Sequence, residues 1–162
     1  MNNILFIITG SIAASRCKEI ITLLRNKEVK ISCILTKEAK KYIKISDIKK
    51  LLKNRIFTDE DEKKNKMLHI NLSRDNDMIV VCPATANSIA KFANGYGDNL
   101  SSNTLLASNK KILFVPAMNS FMWHNKINQK NVRLLKDSGH EFIGPKVGNL
   151  KCGEFGLGRI EN

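Results

Sequence analysis

An amide side chain, Asn119, stands just after a short apolar run that ends at Pro116. Such a run (residues 112–115) is typical of a fully buried strand, and proline ends the pairing because it has no N–H to donate. Ligands of open parallel sheets bind in the loops beyond the carboxyl ends of strands. An amide at this position could therefore hold a carboxylate or the edge of a flavin ring. Judged alone, such an asparagine is more often a helix N-cap.

A second strand end has the same design. Residues 77–81 (DMIVV) lead into Cys82 and Pro83, and an asparagine, Asn87, follows a few residues later. Both predicted strands end in Pro-Ala before their asparagine. If the two ends lie side by side, they form one polar floor.

The first predicted strand, residues 3–9, ends in the turn Gly10-Ser11, and a helix is predicted from Ile12. A strand, a Gly-Ser turn and a helix N-terminus together make a natural site for an anion, because free backbone N–H groups and a hydroxyl meet there. Only one glycine of the dinucleotide fingerprint G-x-G-x-x-G is present. An ordinary strand-to-helix turn explains the pattern at least as well.

Two further side chains have chemical potential, His69 and Cys152. His69 lies between apolar neighbours, where a histidine is more often structural than catalytic. Cys152 lies in a tail with four glycines, and this density forbids a regular helix and predicts a mobile flap over about residues 146–160. The other three cysteines stand in apolar segments, and no CxxC spacing occurs. This pattern favours a reducing, cytoplasmic setting over a disulfide scaffold, and we expect no metal site.

Short apolar strands alternate with helices along the chain. This alternation predicts an α/β fold, a three-layer, doubly wound parallel sheet in a single domain over residues 1–162. Residues 58–66 are charged and without period, so we expect a solvated loop there. The predicted strands are 3–9, 30–35, 77–81, 111–115 and 140–143, and the predicted helices are 12–26, 38–43, 46–53 (with Ser46 as cap), 85–93, 99–108 and 129–136.

Composition narrows the functional classes. The net charge of +12 suggests an anionic ligand, but lysines are spread through almost every surface segment and aromatics make up only 6%. Stacking platforms for nucleic acid are therefore scarce, and an anionic small molecule is the better candidate. No apolar run approaches the length of a membrane span, and residues 1–8 lack the features of a signal peptide.

Five blocks together resemble the flavin-dependent cysteine decarboxylases, most closely the members that act on 4'-phosphopantothenoylcysteine in coenzyme A synthesis. The blocks are TGSIAAS (9–15), LHINL (68–72), PATANSIAKFANGYGDNLSS (83–102), PAMNSFMW (116–123) and CGEFGLGR (152–159). The resemblance covers nearly the whole chain and implies a Rossmann-like flavoprotein that binds FMN. It places His69, Asn119 and Cys152 in catalysis, and Met118, Asn119, Lys151 and Arg159 beside the substrate. The residues implied at the cofactor are Gly10, Ser11, Ile12, Thr36, Pro83, Ala84, Thr85, Ala86, Asn87 and Ala117.

The implied chemistry explains these residue types. Hydride transfer from the CH₂–SH group to FMN gives a thioaldehyde, which accepts the electrons released when CO₂ leaves. His69 would act as the base, and Asn119 would hold the carboxylate. Cys152 would then give a proton as the hydride returns, so that 4'-phosphopantetheine forms without net oxidation.

Related proteins leave alternatives. Decarboxylases of peptidyl cysteine stop at the oxidised enethiol and lack the flap cysteine, and some relatives are non-catalytic regulatory subunits with long acidic tails, which this chain lacks. Flavin prenyltransferases share the fold but need neither Cys152 nor the PAMN block.

Lys151 replaces the small residue usual before the flap cysteine, which puts the closing geometry of the flap in question. The family assembles as trimers or as dodecamers of trimers with shared flavin sites, and we expect at least a homotrimer. Whether a ligase domain follows Arg159 in the full-length protein stays open.

Overall fold

The structure, a computed structural model, describes residues 3–53 and 55–160. Within these residues, six parallel strands form one sheet in the order β3-β2-β1-β4-β5-β6. The strands are β1 (Asn3–Ile8), β2 (Lys30–Leu35), β3 (Ile56–Phe57), β4 (Met78–Ala84), β5 (Ile112–Pro116) and β6 (Glu141–Phe142). The helices are α1 (Cys17–Arg25), α2 (Ile45–Leu52), α3 (Asp59–Lys64), α4 (Leu68–Arg74), α5 (Ala86–Ala93), α6 (Leu100–Ala107), α7 (Ser120–His124) and α8 (Lys126–Asp137), with 3₁₀ turns at Ile12–Arg16 and Ala39–Lys41.

The sheet has a hydrophobic core on each face. Alternate residues of β1 point to opposite faces, so that Phe6 packs with α1 and α2 while Leu5 and Ile7 pack with α4, α5, α6 and α8. The predicted three-layer, doubly wound α/β fold is confirmed. The chain moves outward from β1 to β3 and then restarts at β4 on the other side of β1. The switch point between β1 and β4 is where a fold of this kind opens a crevice for ligands.

The solvated loop predicted for residues 58–66 is wrong, because residues Asp59–Lys64 form helix α3. This helix has no buried residue, so no apolar period reveals it. It is stabilised at its ends instead. Thr58 and Asp61 form a capping box, four acidic residues occupy the first turn, and Lys63 and Lys64 lie in the last turn. Residues Leu68–Arg74 continue as α4, which carries His69.

Other element boundaries differ in smaller ways. The helix predicted from Ile12 begins as a 3₁₀ turn and becomes α-helical only at Cys17, and residues 38–43 contain only a short 3₁₀ turn. Ser46 is not the cap of α2. This helix starts at Ile45, and Lys44 at the N-cap position makes no capping hydrogen bond with its side chain. The fourth strand continues through Pro83 to Ala84. Helix α8 starts at Lys126, three residues before the prediction, because Asn125 caps it.

The glycine-rich tail forms an antiparallel hairpin of β7 (Lys146–Asn149) and β8 (Phe155–Arg159). Its base lies against the segment after β5, where the Met118 N–H donates to the Gly158 carbonyl at 3.0 Å. A Cβ atom on Gly158 would lie 2.1 Å from the Met118 carbonyl oxygen, and one on Gly156 would lie 2.9 Å from Ser120 Oγ. Only glycine permits this close approach. The hairpin is therefore anchored beside Asn119. In the described part of the chain, no helix is long and apolar enough to cross a membrane.

Candidate functional site

A cavity of about 620 Å³ opens at the switch point between β1 and β4. This volume lies within the usual range of roughly 300–1,000 Å³ for small-molecule sites. Its wall combines the loops after β1, β2, β4 and β5 with side chains of α5 and α6, Asp59 of α3 and Met122 of α7. We call it the cofactor cavity, and it is lined by Thr9, Gly10, Ser11, Thr36, Lys37, Glu38, Asp59, Thr85, Ala86, Asn87, Ser88, Lys91, Phe92, Asp98, Asn99, Ser101, Ser102, Leu105, Ala117, Met118 and Met122.

Gly10 lets two loops of this cavity meet. A Cβ atom at Gly10 would lie 2.4 Å from the Cβ of Glu38, so a side chain here would push the loop after β2 away. That loop is held to β1 by Thr36, whose N–H and hydroxyl both donate to the Ile8 carbonyl at 3.1 Å. Ser11 caps the following 3₁₀ turn, since its Oγ accepts from the Ala13 N–H. Backbone N–H groups and hydroxyls are therefore gathered at one end of the cavity.

Two helices begin at the other polar wall. Thr85 caps α5 by accepting from the Ser88 N–H at 3.2 Å, and Asn99 caps α6 in a capping box with Ser102. The positive ends of both helix dipoles thus face the cavity. Pro83 and Ala84, predicted at the cofactor, are buried in β4 and do not line the cavity. The carbonyl of Pro83 accepts a hydrogen bond from the hydroxyl of Thr9, which does line it.

Charge at the cofactor cavity is partly balanced. The Lys91 ammonium donates to the Asp98 carboxylate at 2.6 Å, and this hydrogen bond holds the pKa of Asp98 below its ordinary value. Lys37 and Asp59 also line the cavity, and an Asp59 oxygen accepts from the Leu100 N–H at the start of α6. The neutral polar donors therefore supply most of the directed contacts available to a ligand.

A second cavity of about 610 Å³ adjoins the first and shares Ser11, Ala117 and Met118 with it. It lies under the hairpin, and we call it the flap cavity. All four residues predicted beside the substrate, Met118, Asn119, Lys151 and Arg159, lie in its wall together with Cys152. Ile12, predicted at the cofactor, lines this cavity only. The other lining residues are Ala13, Ser15, Arg16, Asn149, Leu150, Gly158 and Ile160.

Asn119 has both of the roles that its position suggests. Its Oδ1 caps α7 by accepting from the N–H groups of Phe121 at 2.8 Å and Met122 at 3.4 Å. This cap fixes the orientation of the amide, so that Nδ2 is turned towards the hairpin. There, Nδ2 donates to Glu154 Oε2 at 2.6 Å and lies 3.6 Å from Cys152 Sγ. The amide and the flap thiol, far apart in sequence, therefore meet.

His69 is not part of this cluster. Of the residues that the structure describes, those lining either cavity do not include His69. It lies on α4 with its Nδ1 2.9 Å from Glu62 Oε1, a close contact that does not have the geometry of a hydrogen bond. Glu62 in turn accepts from Asn103 on α6 at 3.4 Å. One copy of the chain thus joins two of the three predicted catalytic residues.

The composition of the cofactor cavity fits FMN. Hydroxyls and backbone N–H groups of the Gly10 and Thr85 turns suit a phosphate and polyol chain, while Phe92, Leu105 and Ala117 offer apolar surface to a planar ring. Several lining residues received no role from the sequence. Ser88, Lys91, Asp98 and Ser102 stand inside the block 83–102, so their motif was visible but their contacts were not. Glu154 lines neither cavity, but it contacts Asn119 and Cys152 and stands inside the block 152–159.

Comparison with known proteins finds relatives that match nearly the whole chain. The "Probable phosphopantothenoylcysteine decarboxylase" of Streptococcus mutans is 32% identical over 161 residues, covering 97% of this chain and 90% of that protein. The "Coenzyme A biosynthesis bifunctional protein CoaBC" of Haemophilus influenzae is 36% identical over 155 residues, covering 94% of this chain. This chain spans only 39% of the length of that bifunctional relative.

Solved structures show the same architecture. A PPC decarboxylase variant complexed with pantothenoylaminoethenethiol superposes with a TM-score of 0.89 at 29% identity, covering 99% of this chain and 91% of its own. The FMN-dependent cysteine decarboxylase SpaF gives a TM-score of 0.86 at 29% identity, covering 98% and 90%. The model of the Flavoprotein family matches residues 1–162, and the chain belongs to that family.

Proposed function

We propose that this protein catalyses the FMN-dependent decarboxylation of 4'-phosphopantothenoylcysteine to 4'-phosphopantetheine in coenzyme A synthesis. The observation that carries the proposal is the meeting of Asn119 and Cys152, whose Nδ2 and Sγ atoms lie 3.6 Å apart beside a cavity suited to flavin. The relatives named for this reaction support the choice of substrate.

FMN, when bound, would supply a reversible hydride acceptor, which the protein side chains cannot provide. We propose Gly10, Ser11, Thr36, Thr85 and Asn87 as its polar contacts, with Ala117 against the ring. The pairing of Lys91 with Asp98 leaves this pocket without a single dominant charge, so a phosphate would be held mainly by backbone N–H groups and hydroxyls. Pro83 and Ala84 would shape the pocket from behind.

In the flap cavity, the side chains bind and orient the substrate. Asn119 Nδ2 would donate to the carboxylate that is lost, and Met118 would form part of the wall that the flap cavity shares with the cofactor cavity. Lys151 and Arg159 are exposed cations at the rim, suited to an anionic group of the substrate. Cys152 would donate its proton in the last step. The anchored hairpin would limit the access of water while this happens.

His69 requires a neighbouring copy of the chain under this proposal. Its side chain keeps 26% of its surface exposed and lies away from both cavities of its own subunit. We propose that a homotrimer, alone or within a dodecamer, brings His69 to the flavin of an adjacent subunit, where it would act as the base. Sedimentation velocity tests this point, since a monomer that retained FMN and full activity would contradict it. We also propose a cytoplasmic location, in keeping with this metabolic role.

The reaction itself can be tested by anaerobic incubation of the FMN-loaded protein with 4'-phosphopantothenoylcysteine, followed by mass spectrometry. The wild type should form 4'-phosphopantetheine. The Cys152→Ser variant should stop at a product lighter by two hydrogens, because the hydroxyl is a far weaker acid than the thiol. Since serine is close in size to cysteine, the fold should be unchanged.

Two other results would change the assignment. If the wild type also stops at the lighter product, the protein is an oxidative decarboxylase of the peptidyl-cysteine type. If FMN is bound but no cysteine compound reacts, the non-catalytic, flavin-binding regulatory alternative is favoured.

A further inference from the structure

Glu154 is hydrogen-bonded to the Asn119 amide, the group proposed above to hold the substrate carboxylate. Its Oε2 accepts from Asn119 Nδ2 at 2.6 Å, and the Cys152 thiol lies 3.6 Å from the same oxygen. Glu154 is not one of the residues that the family resemblance singles out, and the proposed reaction gives it no role. Yet a single carboxylate oxygen contacts both of the site residues that meet in this cavity.

The chemistry of this contact is the chemistry proposed for substrate binding. Asn119 Oδ1 is engaged by the start of α7, so only Nδ2 faces the flap cavity. A donor N–H₂ group binds carboxylates with charge-assisted hydrogen bonds. The carboxylate of Glu154 and that of a cysteine substrate are therefore rivals for the same donor.

We propose that Glu154 acts as an internal placeholder for the substrate carboxylate, which must displace it from Asn119 to bind. This inference rests on the proposed function, because it concerns the way in which the substrate enters that site. Glu154 is a positioning residue in this role. Between turnovers, Glu154 keeps the Asn119 amide hydrogen-bonded. When the substrate carboxylate arrives, Glu154 has to move, and the nearby Cys152 moves with it.

The hairpin is built so that such a movement stays local. Glu154 belongs to the turn between β7 and β8, where the Leu150 N–H donates to the Glu154 carbonyl at 2.8 Å and Gly153 has a φ of +87°. Residues 151–155 are exposed, whereas Gly158 at the base is buried and bonded to Met118. Displacement of Glu154 therefore reorients the tip and its thiol without detaching the base.

The test uses a pair of unreactive ligands that differ only in the carboxylate. These are the oxygen analogues of 4'-phosphopantothenoylcysteine and 4'-phosphopantetheine, in which a hydroxyl replaces the thiol. Their Kd values are measured by calorimetry on the FMN-loaded wild type, on Glu154→Gln and Glu154→Ala, and on Glu141→Gln. Glu141 is a matched control, because it is an exposed glutamate paired with Lys111 and absent from both cavities.

Removal of the placeholder charge should tighten binding of the carboxylate ligand about fivefold to tenfold, since a neutral amide is a weaker rival than a carboxylate. The ligand without the carboxylate should bind equally to all variants, and Glu141→Gln should match the wild type. If Glu154 only stabilises the flap, both ligands will bind more weakly to the variants, and the proposal is overturned. Equal Kd values for the carboxylate ligand in all four proteins overturn it too. Turnover of authentic substrate by the wild type, measured separately, shows whether the proposed function itself stands.

Discussion

Exchange of Asn119 for aspartate separates the two roles of this side chain. Aspartate caps helices about as well as asparagine, so the hydrogen bonds to Phe121 and Met122 should persist. The group facing the flap, however, changes from a donor N–H₂ to an anionic oxygen. Asn119→Ala, in contrast, removes the cap and the donor together.

The expected magnitudes differ for fold and function. Loss of the cap in Asn119→Ala should lower the free energy of unfolding by about 1 kcal/mol, which is about 2–4 °C in Tm for a chain of this size. Asn119→Asp keeps the cap and should lose less stability than Asn119→Ala, because the exposed Glu154 carboxylate can turn away into solvent. Both variants lose a hydrogen bond to a charged carboxylate, worth roughly 1.5–3 kcal/mol, so kcat/KM should fall about tenfold to a hundredfold. The aspartate variant should be the worse enzyme, because its charge repels both the substrate and Glu154.

Asn125 provides the matched control. It caps α8 in the same manner, with its Oδ1 accepting from Ile127 N–H at 2.9 Å and Asn128 N–H at 3.4 Å, and it contacts neither cavity. Asn125→Ala should lose similar stability while keeping kcat/KM. Urea unfolding and steady-state kinetics measure the two quantities. If Asn119→Asp keeps kcat/KM within twofold of the wild type, or if Asn125→Ala loses as much activity as Asn119→Ala, the proposed donor role of Asn119 is refuted.

Three further outcomes follow from the described residues. Burial lowers the pKa of His140 below 6.5. As the pH drops below about 6.5, protons therefore bind the unfolded state first, and the urea midpoint of unfolding should fall. The variant His140→Gln should flatten this pH dependence, since its amide oxygen can still accept from the Ile112 N–H. In the native protein iodoacetamide should label Cys152, which is exposed, long before the three buried thiols, and peptide mass spectrometry would show this order. A hydrogen bond with Cys82, burial and the neighbouring thiols raise the pKa of Cys17, and burial raises the pKa of Cys33. Gly158→Ala should displace the hairpin base from Met118 and lower the free energy of unfolding by about 1–3 kcal/mol, because an added Cβ would meet the Met118 carbonyl oxygen. Steady-state kinetics should then show a raised KM.

For each of these three predictions, one experimental result would contradict it. A pH profile in His140→Gln as steep as that of the wild type would assign the effect to another group. Equal labelling rates for all four thiols in native buffer would mean that the packing around the buried ones opens readily. An unchanged KM in Gly158→Ala would show that the hairpin does not need its close contact with the Met118 carbonyl.

Sequence patterns predicted the central sheet well because its strands are continuous apolar runs, as in residues 79–82 and 112–115. Helix α3 escaped prediction because it buries nothing and depends on its capping box and charges. The strands of the hairpin escaped for a different reason. Alternate glycines in β8 have no β propensity, and their value lies in the close contacts with Met118 and Ser120.

The site was predictable to a similar extent. Asn119 and Cys152 could be named from their motifs, and the structure brings them together. The contact of Glu154 with both could not be named, because it depends on the fold of the hairpin turn. His69 shows another limit, since a single chain leaves it away from both cavities.

The glycine contacts at the hairpin base also determine which part of the protein can diversify. Strand β8 cannot shift against the segment at Met118, because Gly156 and Gly158 have no room for a side chain there. The turn at residues 150–154 is free of this constraint, as its contact with that segment is made by side chains. Insertions or deletions in the turn would change how far the thiol reaches while leaving the anchor intact. The length of this turn is therefore the natural place for evolution, or for a designer, to match the proposed decarboxylase to cysteine substrates of different size.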